Sequence, residues 1–210
     1  MKLFYAFTTV FVFASKNVFC QYDSLKPKGI YTSNFIINEI PRNLTYYMPQ
    51  NYGKFNSYPL LIVLHDEKSS AMNVIKKWGD LIHAKADFAD CVVMYPDAVD
   101  GVWKKGKNKD SLNDRMFLNI MLNFFIQQYH CDDSRIYLLG IGAGSEVAYQ
   151  FSCEKNSKIT AIATIGKKSI ERSEPICADK KELPVVKIIN GETTQVAIDK
   201  AIDFLLPQKK

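Results

Sequence analysis

Histidine is scarce in this sequence: three residues in 210, His65, His83 and His130, with none beyond His130. They are far apart, there is no H-E-x-x-H, and the carboxylates do not cluster, so the pattern argues against a metal site and no cofactor is expected. The cysteine spacings match no zinc pattern. No apolar run reaches the about 20 residues of an ordinary membrane span. No basic patch stands out that would hold nucleic acid. Internal repeats, low-complexity tracts and long linkers are also missing. What remains is 47% hydrophobic and 23% charged, the material of one globular core.

The first residues run from Lys2 through an apolar stretch, Leu3 to Ala14, to Lys16 and then Val18-Phe19-Cys20 before Gln21. A charged start, a short apolar run and a polar exit have the order of a secretory signal peptide, with cleavage expected after Cys20. That divides the chain into a leader, residues 1–20, and a domain, residues 21–210. A lipoprotein acylated at Cys20 and an uncleaved anchor are the alternatives, and the bulk of Phe19 disfavours the first. The formal charge of +5 falls to about +3 once Lys2 and Lys16 leave with the leader. Export would allow disulfides among Cys91, Cys131, Cys153 and Cys177. The favoured pair is Cys153, at the end of an expected helix, with Cys177, in the loop before the next strand; buried free thiols are the alternative.

Two alternating stretches, Tyr31 to Asn38 and Arg42 to Pro49, predict an antiparallel hairpin. Asn43-Leu44-Thr45 inside the second is a glycosylation sequon, meaningful only in a eukaryotic source. Continuous branched-aliphatic runs follow at Leu60 to Leu64, Cys91 to Tyr95, Arg135 to Gly140, Ile159 to Ile165 and Val185 to Ile189, the pattern of strands buried on both faces. Helical spacing occupies Ala71 to Ala86, Ser111 to Gln128, Ser145 to Cys153 and Val196 to Leu206. This alternation predicts a mostly parallel sheet with helices on both faces and antiparallel strands at its N-terminal side.

The strand ending at Gly140 runs through Ile141-Gly142-Ala143-Gly144 into a helix. This is the layout of the nucleophile elbow G-x-S-x-G, with Gly142 where the serine would stand. Glycine there removes the hydroxyl and relieves the positive-φ strain. A dinucleotide fingerprint needs G-x-G-x-x-G, which this spacing does not provide. Ser145 lies nearly one helical turn further on, where its hydroxyl should point away from the elbow and help to cap the helix. Ser69 and Ser70 are expected to begin the preceding helix.

Taken in order, Tyr46 to Pro49, Pro59 to His65, Val92 to Asp97, Trp103, Asn113-Asp114-x-x-Phe117-Leu118, Arg135 to Gly140 and Pro184 to Gly191 resemble the secreted polyhydroxybutyrate depolymerase and feruloyl esterase-like hydrolases. The resemblance implies an α/β-hydrolase fold, C-terminally short, and ester substrates. It also implies a serine, a histidine, a carboxylate and backbone oxyanion donors. Against that pattern, Gly142 replaces the serine, Thr194 takes the acid position with Glu192 nearby, and no histidine follows. His65 matches the oxyanion-loop histidine. Asp66 replaces the glycine beside it, where it is less free in backbone geometry and would repel developing negative charge. Asp97, Trp103 and Asp114 are expected to border the cleft at the carboxyl ends of the strands, Trp103 either by loop packing or by stacking on a sugar or aromatic ring.

The reading that follows is a secreted, non-catalytic esterase homologue that keeps a cleft for a glycan, a polyester, an aromatic ester or a protein partner. The alternatives are an esterase with non-standard residues or a partner's histidine, and an interaction subunit that pairs through an exposed sheet edge. Nucleic acid is not expected as a partner, nor is a membrane once the leader is removed.

Overall fold

The computed structural model of the protein describes residues 10–12, 27–104, 109–154, 157–166, 183–188 and 195–209. Among the described residues eight strands form one sheet in the order β1-β2-β3-β5-β4-β6-β7-β8. They are β1 (Val10–Val12), β2 (Gly29–Ile37), β3 (Ile40–Met48), β4 (Tyr58–Leu64), β5 (Val92–Pro96), β6 (Cys131–Ile141), β7 (Ala161–Ile165) and β8 (Val185–Ile188). Strand β3 runs antiparallel to β2 and to β5; the other neighbouring pairs are parallel. Four helices connect them: α1 (Ala71–Phe88), α2 (Lys109–Gln128), α3 (Ala143–Ser152) and α4 (Gln195–Leu205). The expected hairpin, parallel strands and helices are all present. Strand β1, which falls within the expected leader and pairs with Asn34 to Ile36 of β2, is an addition.

Side chains alternate across each central strand, which is why the strands read as unbroken apolar runs. Leu60, Ile62 and Leu64 of β4, with Ile136 and Leu138 of β6, pack under Phe117, Met121 and Phe125 of α2 and Val147 and Phe151 of α3. Leu61 and Val63, with Tyr137 and Leu139, face Val74 and Ile82 of α1 and Ile198 and Ile202 of α4. No helix among the described residues is long and apolar enough to cross a membrane.

A buried ion pair ties the antiparallel side to α2. Arg42 of β3 donates from Nη1 to Asp114 Oδ1 at 2.6 Å, with both side chains 2% exposed. The guanidinium lies 4.2 Å from the Phe117 ring centre, and Asp114 Oδ2 accepts from Lys104 N–H at 2.7 Å. Cys91 and Cys131 are buried free thiols, and burial pushes the Cys91 thiol up to about 12. Cys153 is disulfide-bonded, with its other half outside the described residues. Cys177, expected to pair with it, lies there too.

Candidate functional site at the glycine elbow

The register of β4 against β6 creates the site. Leu64 pairs with Gly140, so Asp66 and Gly142, each two residues further on, leave the sheet side by side. Gly142 adopts φ 54°, ψ −118°, the strained turn in which an elbow projects a side chain above a sheet. The strand enters α3 with no intervening loop, and Gly140 makes this approach possible: a Cβ there would meet Ser145 Cα at 2.4 Å.

Above Gly142 sits the carboxylate of Asp66. A Cβ built on Gly142 would lie 2.0 Å from both Cγ and Oδ1 of Asp66, well inside van der Waals contact. The space a nucleophilic side chain would need therefore belongs to an acid from the neighbouring loop. Asp66 Oδ1 accepts two backbone N–H groups, from Glu67 at 2.7 Å and from Ala143 at 2.7 Å. Ala143 is the residue after the elbow centre, and Glu67 lies on the loop after β4. Donors in these two positions are what an acyl-transfer site uses to hold a tetrahedral oxyanion. Asp66 keeps an ordinary backbone, and the positive φ of this loop falls on Lys68, at 57°. The positive-φ turn of this loop falls two residues after Asp66.

The histidines are elsewhere or committed. His65 is fully buried; its Nδ1–H donates to the Asp66 carbonyl at 2.7 Å and its Nε2 accepts from Ala98 N–H at 3.1 Å. That fixes one neutral tautomer. Burial holds its pKa below the ordinary imidazole range, against the opposing pull of the Asp66 carbonyl and of the Asp97, Asp66 and Asp114 carboxylates. His83 stacks on Tyr47 at 3.9 Å, twelve residues beyond the start of α1, about 18 Å along the helix. Burial lowers its pKa to about 4. His130 is exposed at the opposite end of β6 from the elbow, about 35 Å away along the strand.

Ser145 and Ser70 have structural roles. Ser145 is buried, and its Oγ donates to the Gly140 carbonyl at 2.9 Å. It therefore fastens helix to strand and does not cap α3, whose N-cap is Gly142 without a side-chain bond. Ser70 caps α1, accepting from Asn73 N–H at 3.2 Å.

The expected cleft border is largely internal. Trp103 is 3% and Asp114 1% exposed, which corrects the placement of both on an open cleft. Trp103 donates from Nε1 to the His65 carbonyl at 2.9 Å and packs on the His65 ring, so loop packing accounts for it; Asp114 is held in the ion pair with Arg42. Asp97 is partly exposed, but its Oδ1 accepts from Ala71 N–H at 2.6 Å at the start of α1. Sequence reasoning did not find a depression beside Asp66, of about 440 Å³, lined among the described residues by Glu67, Asn73, Val74, Lys77, Trp78 and Ile141. The exposed polar face of α1 was its only signal. Thr194 and Glu192 lie outside the described residues. Among the described residues no group of three or more His, Cys, Asp or Glu side chains could hold a metal ion.

No protein-family model and no curated protein sequence matches the chain. Solved structures do match, and with them the sheet order, the helices on both faces and the elbow define the α/β-hydrolase fold. A fluorophosphonate-binding serine hydrolase of Staphylococcus aureus matches at TM-score 0.67 and 12% identity over 86% of this chain and 99% of its own. A poly(3-hydroxybutyrate) depolymerase of Bordetella parapertussis matches at 0.59 and 14% over 85% and 74%. A ferulic acid esterase of the anaerobic fungus Anaeromyces mucronatus matches at 0.60 and 11% over 90% and 93%. All three are similar to this chain in fold, with an esterase-like arrangement of strands and helices.

Proposed function

We propose that the protein is a secreted, non-catalytic homologue of carboxylic-ester hydrolases that binds its ligand beside a disabled elbow. The observation that carries this reading is Gly142: the backbone keeps the elbow turn while the position has no side chain. Nucleophilic catalysis needs a hydroxyl or thiol and a base within hydrogen-bond reach. Here the hydroxyl is missing, and the three histidines are buried and committed, packed on Tyr47, or at the far end of β6. The neighbouring esterases supply the ester-substrate class for the lost activity. Ligand contact is assigned to the depression beside Asp66, which is lined by Trp78, with the Lys77 ammonium 4.5 Å over its ring, and by the polar side chain of Asn73. A glycan, polyester or aromatic ester fragment suits that mixture. Export rests on the leader, residues 1–20.

The test is hydrolysis of p-nitrophenyl butyrate and methyl ferulate by residues 21–210, beside a variant with His65 and His130 replaced. Both proteins are expected to stay at the buffer rate. Turnover by the unaltered protein that disappears in the variant would replace this reading with that of an unorthodox esterase.

A further inference from the structure

Two backbone N–H groups, that of Glu67 in the loop after β4 and that of Ala143 at the first position of α3, converge on one oxygen of Asp66 at 2.7 Å each. The same carboxylate fills the volume in which a side chain on Gly142 would start, 2.0 Å from the Cβ position. The Ala143 contact joins residues 77 positions apart, and the two donors follow the paired strands β4 and β6, one in a loop and one at the start of α3. Convergent main-chain donors of this kind bind anions, and the anion present is part of the protein. The residue is exposed and the depression of about 440 Å³ opens from it, so a molecule from solution can reach the same place.

We propose that Asp66 is an autoinhibitory self-ligand: its carboxylate occupies an anion site formed by the N–H groups of Glu67 and Ala143, and the ligand class of that site is the small carboxylate. This deepens the reading of a binding protein with a disabled elbow and uses the same site. Tethered beside its donors, Asp66 competes with free carboxylates at a local concentration of millimolar or higher. In the native protein the site is closed to dilute anions; without Asp66 it is open. The assignment also explains why an acid is tolerated beside these two N–H groups: its carboxylate takes the place of solvent on them.

The experiment is an acetate titration followed through the backbone amide resonances of Glu67 and Ala143, at constant ionic strength, in the wild-type protein and in Asp66→Ala. In Asp66→Ala both amide protons should move away from their wild-type positions. Acetate should then return them in a saturable manner, with apparent affinity at least about tenfold tighter than any response of the wild type. Chloride at equal ionic strength should not reproduce the return. Asp66→Gly is measured in parallel, so that a folding defect of one variant does not decide the matter. Amides that stay in place on removal of Asp66, or an acetate response that is linear or equal in wild type and variants, would overturn the proposal. Ester turnover is a separate readout, so this result and the non-catalytic reading fail independently.

Discussion

Gly142→Ser is expected to produce a less stable protein that is still not an esterase. The serine Cβ must enter space 2.0 Å from the Asp66 carboxylate, so Asp66 has to leave its two N–H donors. The serine must also adopt a φ of 54°, a conformation that costs a non-glycine residue about 1–3 kcal/mol. For a chain of this length that strain alone corresponds to a fall in Tm of roughly 2–12 °C. Asp66→Gly in the same protein should recover part of the loss, because the displaced carboxylate is then absent. The coupling between the two positions should be about 0.5–3 kcal/mol in a double-mutant cycle. Additive effects would mean that the two side chains do not compete for one space. Turnover of p-nitrophenyl butyrate by Gly142→Ser would reveal a base near the elbow that the described histidines do not provide.

The second large effect concerns the buried Arg42–Asp114 pair. Replacing either partner alone, Arg42→Met or Asp114→Leu, leaves an uncompensated charge in a site where both side chains are 2% exposed. The expected destabilisation is about 3–5 kcal/mol, read as a shift in the urea midpoint at unchanged slope. The double replacement should lie within about 1 kcal/mol of wild type, because removing both charges also removes their desolvation cost. The pair carries a burden of its own that favours this outcome: Arg42 Nε and Nη2 are buried without hydrogen-bond partners among the described residues. Arg42→Lys should fall between wild type and the single losses, since lysine keeps the charge opposite Asp114 but cannot reproduce the planar contact with Phe117. A double variant as unstable as the singles would show that the cost comes from packing and not from charge.

The fold was legible because each central strand is buried on both faces and so appears as a continuous apolar run. Leu60 to Leu64 and Ile136 to Leu139 divide alternately between the two cores. The first part of β6 was not legible. Cys131 to Arg135 is mostly polar and joins β4 through an irregular register between Tyr58 and Leu60, so no periodicity marks it. Helix α3 begins two residues before the position expected from its spacing, because the glycine elbow passes directly into the helix.

For the site, the motif gave the position of Gly142 and the substitution at Asp66 but not their contact. Reading that contact requires the β4–β6 register, Leu64 opposite Gly140, and register depends on partners distant in sequence. Sign alone suggested that Asp66 would repel an oxyanion. With the register known, its carboxylate becomes the group that the N–H groups of Glu67 and Ala143 hold. Trp103 and Asp114 were misplaced because proximity to a strand end does not specify whether a side chain points outward or into the loop beneath.

The most direct test of the central claim is the intact mass of residues 21–210 after incubation with an alkyl fluorophosphonate, which phosphonylates an activated serine with loss of fluoride. With glycine at the elbow and Asp66 on the N–H groups of Glu67 and Ala143, the protein should keep its unmodified mass. A single adduct that maps to one serine, and that does not form after heat denaturation, would contradict the account by showing a working nucleophile and base.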